Sequence, residues 1–342
     1  MLTRHNRVST THPSDAGSGS CNSYASAIGA TECENVAHSG PVGDGAFHGV
    51  FRSFVPQLVL LLLICLVTAS CSGSRVALRL AERELKSRSD AASAREELIQ
   101  SMSPDLQPLF DGYGIILVHV PGDSAQAARE DFWIGLTEVT VEQYEHFVGD
   151  GGYADSDNWS KDGWKWRTER HISKPCINTR YTRAQKPIVC VSWYEADAYT
   201  RWLSRATGLD VRLPTEDEWE RAATGSGGGT YPWGNDPPTL ARANYCRVVI
   251  PSLVDETSPI WCAGPRSSTR VGSYPAGASP CGALDMAGNV WEWTARSWRG
   301  GVLRGGAWRS LPDDIKVSSR LVYPWATRSK YIGFRVIVVP SP

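Results

Sequence analysis

The sequence predicts an α/β (α+β) domain that is loop-rich, with little regular secondary structure. Three observations carry that expectation. Capping boxes open three short amphipathic runs. The apolar runs that could form strands are brief and scattered. All 14 tryptophans fall between Trp133 and Trp325, in a stretch punctuated by many of the chain's 32 glycines and 21 prolines.

The helix starts share one device. Thr140 is followed three residues later by Gln143, Ser192 by Glu195 and Thr215 by Glu218. In such a box the hydroxyl accepts from the third residue's N–H, and that residue's side chain reaches back to the cap. Apolar residues follow at helical spacing: Tyr144, Phe147 and Val148; Ala196, Tyr199, Trp202 and Leu203; Trp219, Ala222 and Ala223. Gly208 and Gly225 stand where the second and third helices should stop. Ile115–Val120, Val302–Leu303 and Gly333–Val339 (GFRVIVV) read as strands. No fixed-period repeat appears.

The chain has 342 residues and a formal net charge of -1, so it offers no basic footprint for nucleic acid. Residues 1–49 are polar, Ser- and Gly-rich and without apolar period, and read as a disordered leader or a mis-assigned start. The dense apolar run within Phe54–Ser70 is shorter than the ~20 residues of a membrane span and has the size of a signal-peptide core. Thr68-Ala69-Ser70-Cys71 then resembles a lipobox, with Cys71 as the lipidated residue. A start at Val50 would make 50–71 a lipoprotein signal peptide with Arg52 as its charge. An ordinary transmembrane anchor is the competing reading. Residues 72–103 read as a charged helical tether and 104–342 as the globular domain. The expected location is the bacterial cell envelope, lipid-anchored, at the outer membrane or periplasmic face in a Gram-negative organism. Export permits disulfides among Cys176, Cys190, Cys246, Cys262 and Cys281. Short-loop pairing would join Cys176 to Cys190 and Cys246 to Cys262, although spacing does not fix connectivity.

Eight fragments then occur in order: WIGLTEVTVEQY from Trp133, PIVCVSW from Pro187, RLPTEDEWERAA from Arg212, YPWGN from Tyr231, VGSYP from Val271, LDMAGNVWEW from Leu284, LRGGAW from Leu303 and GFR from Gly333. Their order and spacing resemble the formylglycine-generating enzyme (sulfatase-modifying factor) family over about residues 112–340. The resemblance implies a C-type-lectin-like fold. It also implies a calcium site built from the side chain of Asp285, the carbonyls of Gly288 and Val290, and the carboxylate of Glu292. Hard oxygens on both flanks of a turn suit that ion. The bland reading keeps Trp291 and Trp293 as core and Glu292 as an ion-paired residue. A second family calcium site matches only at Asn244-Tyr245 and lacks its aspartate.

The family's chemistry needs two cysteines soon after the R-G-G motif, which hold copper(I) and oxidise a substrate cysteine with oxygen. This sequence has no cysteine after Cys281. Ser310 falls at the first cysteine's position and Ala307 replaces the motif's serine, so Ser310, Ala307 and Trp291 are vestigial active-site positions and copper is not expected. A related branch forms carbon–sulfur bonds with a His-bound iron(II). The three histidines after residue 71, His119, His146 and His171, lie in separate segments, and that activity is not expected either.

The sequence thus leans away from an enzyme. The expectation is an exported, lipid-anchored binding or assembly module with calcium as cofactor, the membrane as one partner and a protein, peptide or glycan ligand as the other. The alternatives are a formylglycine-generating oxidase acting on a sulfatase cysteine and a lectin-like binder. For the latter, the aromatic-rich segment 153–166 (Tyr153, Trp159, Trp164, Trp166), with Tyr323 and Trp325, would have to share one open face.

Overall fold

The computed structural model describes residues 102–339 apart from 123–129, 177–182, 250–260 and 296–299, together with scattered positions from 86 to 100. The positions described between 86 and 100 are helical. The leader, the apolar segment and Cys71 lie outside the described residues. Among the described residues no helix is long and apolar enough to cross a membrane.

The capping boxes fix where three helices begin. These are α2 (Val141–Gly149), α4 (Trp193–Thr207) and α5 (Glu216–Thr224), each with both reciprocal bonds formed. Gly208 closes α4 in the left-handed conformation, at φ 75. Two further helices occur. The first, α1 (Gln107–Tyr113), ends at left-handed Gly114. The second, α3 (Lys161–Glu169), starts at Ser160, whose hydroxyl accepts from Gly163 N. Helix α3 and a 3-10 turn at Ser156–Asn158 replace the expected aromatic loop.

Strands β1 (Leu117–Val120), β2 (Phe132–Gly135), β3 (Asp210–Arg212) and β10 (Ile337–Val339) form one antiparallel sheet in the order β1-β2-β10-β3. A hairpin joins β4 (Arg247–Val249) to β5 (Trp261–Ala263). A second four-stranded sheet holds β6 (Trp291–Trp293), β7 (Gly301–Arg304), β8 (Arg320–Tyr323) and β9 (Ile332–Phe334). Its order is β8-β7-β6-β9, with β6 and β9 parallel. The expected strand Gly333–Val339 is therefore two strands in two sheets. The chain changes sheet at Arg335, whose side chain turns into the interior toward Glu292.

The apolar faces meet between these sheets and the helices. From α5, Trp219, Ala222 and Ala223 pack with Val118, Phe132, Ile134, Met286 and Ile337. An aromatic cluster joins α2 to α4 and β9, with Tyr144 stacked on Tyr199 at 5.3 Å and Phe334 edge-on to both. One cysteine expectation is corrected. Cys176 and Cys190 are not disulfide-bonded, and Cys190 is instead tied through its N–H to Ser329 O. Cys246 is in a disulfide. Cys281 is a thiol lying against Ser279 Oγ and Ala222 O.

Candidate functional site

The segment after the R-G-G motif is a closed turn. Gly305 and Gly306 carry φ of 91 and 80, which L side chains rarely adopt. A Cβ on Gly306 would lie 2.6 Å from the Ile315 side chain. The chain then folds on itself: Ser310 N donates to Ala307 O at 2.8 Å, and Ala307 N donates to Ser310 Oγ at 3.0 Å. Ser310 O accepts from Cys246 N at 2.8 Å. Ser310 is buried and its hydroxyl serves as a turn clasp. Ala307 and Trp308 beside it are buried, as is Trp291, with Trp308 5.1 Å from the Tyr331 ring. The aspartates that follow do not converge. Asp314 accepts from Leu311 N, while Asp313 is exposed and pairs with Lys316 at 2.7 Å.

The motif DMAGNVWEW folds around buried charge. Asp285, Gly288 and Asn289 have φ of 58, 83 and 59, so three of five residues are left-handed and the chain bends sharply. Asp285 Oδ2 accepts from Gly272 N at 2.6 Å. Glu292 is fully engaged: Arg335 Nε and one terminal nitrogen donate to its two oxygens at 2.6 Å each, and Trp219 Nε1 donates at 2.8 Å. The same guanidinium reaches Gly135 O and Leu284 O. Asn289, at the heart of the turn, donates to Glu138 Oε1 at 2.9 Å and accepts from Thr269 N and Asn244 Nδ2.

Glu138 and Arg335 are the residues that motif reading quoted without giving them a role. Glu138 is wholly buried, and its second oxygen, Oε2, has no hydrogen-bond partner. Burial first, then the charges of Asp285 and Glu292, holds its carboxyl well above the usual range. Burial likewise pushes Asp285 up to about 6, opposed by the Gly272 N–H. A cation in this interior is compatible with Asp285 and Glu138, whereas Glu292 is committed to Arg335. Among the described residues no three His, Cys, Asp or Glu side chains form a ready metal cluster. At the matching point of the second family calcium site, Lys186 Nζ lies 3.1 Å from Ser267 Oγ and 2.5 Å from Ser268 O, next to Asn244. A fixed ammonium stands among those oxygens.

The aromatic residues divide. Tyr153, Trp159 and Trp166 are core, while Trp164, Tyr323 and Trp325 are half-buried. Trp166 and Tyr194, tilted rings at 5.3 Å, floor a shallow groove of about 350 Å³. Asp162, Lys165 and Glu169 of α3 and Arg170 just after it rim the groove, and Ala326 also lines it. Beneath it runs a second ion pair, in which the buried Glu195 takes two nitrogens of the part-buried Arg328, with Tyr153 OH and the Ser192 cap. The histidines stay apart: His119 pairs with Asp131, and His146 packs on Tyr113.

Short helices, two small sheets and a buried Glu–Arg pair under an R-G-G turn define a domain of the formylglycine-generating-enzyme class. The sulfatase-modifying factor enzyme 1-like domain model matches residues 119–339, and the chain belongs to that family. It is 35% identical over 227 residues to hercynine oxygenase of Mycobacterium tuberculosis, covering 55% of this chain and 48% of that protein. It is 34% identical over 165 residues to the mouse inactive C-alpha-formylglycine-generating enzyme 2, covering 45% and 49%. The chain thus spans about half the length of the curated relatives it matches. Among solved structures, PvdO from Pseudomonas aeruginosa is 22% identical, covers 66% of this chain and 91% of its own, and gives a TM-score of 0.47.

Proposed function

We propose that the chain is an exported, lipid-anchored, non-catalytic binding or assembly module built on this fold. The observation that carries the reading is Ser310. The position where the resemblance places a metal-binding thiol holds a buried hydroxyl already spent on Ala307 N, and no cysteine follows it. Copper(I) favours thiolate, so neither this hydroxyl nor the diverging aspartates replace the pair. Such a loss would parallel the mouse relative, which is itself named an inactive formylglycine-generating enzyme. Catalysis by an oxidase on sulfatase cysteine is the reading this displaces.

A binding face is supported by the groove over Trp166 and Tyr194, where an aromatic floor meets a rim of both charges. That composition suits a glycan or an extended peptide. In an array of glycans and peptides, the double variant Asp162→Ala/Arg170→Ala should lose at least about tenfold in affinity for whatever the wild type retains, roughly one charge-assisted contact. Its melting temperature should fall by only a few degrees, because both side chains are exposed and Asp162 contributes a surface charge in the first turn of α3. Undiminished binding by the variant would move the ligand face elsewhere.

The anchor is tested separately. Cells given radioactive palmitate should label the full-length protein and not its Cys71→Ala form. Equal labelling of the two would end the lipoprotein reading. Ser72 after the cysteine places the expected product at the outer membrane of a Gram-negative cell.

A further inference from the structure

We infer that the groove over Trp166 and Tyr194 takes an acidic glycan, one whose sugar rings carry carboxylates; the inference rests on the groove being the binding face. Its first support is charge. From residue 161 to residue 174 the chain carries Lys161, Lys165, Arg167, Arg170 and Lys174 against Asp162 and Glu169, although its formal net charge is -1. Glu169 is met by Lys165 at 3.9 Å, and Arg167 lies over the Trp164 ring. Lys161, Arg170 and Lys174 are exposed and, among the described residues, have no carboxylate within ion-pair distance. Arg170 rims the groove. Lys174 O accepts from Arg328 at 3.3 Å, and the Arg328 guanidinium lies 5.5 Å from the centre of the Trp166 ring, so the Lys174 backbone stands beside the floor. Helix stability does not account for these cations. Arg170 suits the C-terminal end of α3, but Lys161 is its first residue, where a positive charge opposes the helix dipole.

The second support is a floor that is already built. Tyr194 stands edge-on to Trp193 at 5.9 Å and to Trp325 at 6.3 Å, and Arg328 is held over Trp166 by its bonds to Glu195. A ring fixed in this way offers contact area at little cost in conformational freedom. The C–H face of a sugar packs on such a ring and leaves a ring carboxylate at the rim, where the fork of Arg170 can take both oxygens. The third support is shape, which sets other anions aside. Asp162, Lys165, Trp166 and Glu169 lie in α3 and Tyr194 in α4, so the walls present no strand edge on which an acidic peptide could extend a sheet. At about 350 Å³ the groove is at the small end of the range that holds a compact ligand. Among the described residues the one exposed large hydrophobic is Val322, on β8, so the α3 face carries no apolar anchor for an anionic membrane.

The test titrates the purified full-length protein with tetragalacturonate and with its methyl ester, which keeps the rings and removes the charges. The free acid should bind, and the ester at least about tenfold more weakly. Raising the salt from about 50 mM to about 500 mM should weaken the free acid and leave the ester unchanged. Arg170→Glu, at an exposed position, should lower affinity for the free acid by about ten- to a hundredfold. Tyr194→Leu, which keeps apolar bulk without the ring, should weaken acid and ester by the same factor, and it carries the test if the first variant folds poorly. Equal affinity for acid and ester, or full uronate binding by a folded Arg170→Glu, would overturn the inference. Equal binding of polyglutamate would assign the cations to an acidic peptide and overturn it too. A wild type that holds a neutral glycan or a peptide in the groove, but no uronate, would overturn this inference and leave the binding-module reading standing.

Discussion

Arg335→Met should cost the domain about 3–5 kcal/mol, the range for leaving one member of a buried ion pair without its partner. The guanidinium is wholly buried and makes four bonds: two to Glu292, one to Gly135 O and one to Leu284 O. Methionine fills much of the volume but donates nothing. Glu292 would keep one donor, Trp219 Nε1. At roughly 2–4 °C per kcal/mol for a domain of this size, the melting temperature should drop by about 6–20 °C. Arg335→Lys should recover only part of this, because one ammonium cannot span both oxygens and two carbonyls. The double variant Glu292→Gln/Arg335→Met should be more stable than Arg335→Met alone, since it removes the uncompensated charge. Urea unfolding of the wild type, Arg335→Met, Glu292→Gln and the double variant measures the coupling. A loss under about 1 kcal/mol in the single variant would mean that the pair does not hold the two sheets together.

Gly288→Ala should be nearly as damaging, for a backbone reason. The residue has φ 83, where a Cβ costs about 1–2 kcal/mol, and that Cβ would lie 2.3 Å from Asn244 O. The obstacle is main chain, and it is also the acceptor for Asn289 N at 2.8 Å, so it cannot move without losing that bond. Overpacking adds about 1–3 kcal/mol. A total of about 2–5 kcal/mol predicts a melting temperature lower by about 4–20 °C. Gly112→Ala, on a helix with open space at its Cβ, is the control and should change little or stabilise slightly. Equal melting of the two variants would contradict the packing described for the turn.

What the sequence made legible follows from how local each signal is. The helices α2, α4 and α5 could be read because a capping box lies within four residues and both bonds form as written. Helix α1 could not, because Pro108 and Gly112 within seven residues weigh against any helix. Helix α3 lacked the box, since Gly163 stands where a Glu or Gln would complete it. The split of GFRVIVV into two strands was hidden because an apolar run hides a change of sheet. Only its lone charge, Arg335, hinted at one. The missing thiol pair was plain from the letters alone. The pairing of Asn289 with Glu138 was not, since the two residues are 151 apart in the chain and no spacing rule connects them.

The central proposal is that this domain binds or assembles and does not carry out the family's oxidase chemistry. Mass spectrometry of a Cys-x-Pro-x-Arg peptide, incubated aerobically with the purified protein, a thiol reductant and copper, tests it most directly. The peptide should keep its thiol, and Ser310→Cys should not change that result, because one thiolate leaves copper(I) without its second soft ligand. An aldehyde in place of the thiol, dependent on both oxygen and this protein, would show that the domain is an enzyme and that the hydroxyl clasp at Ser310 is no sign of lost chemistry.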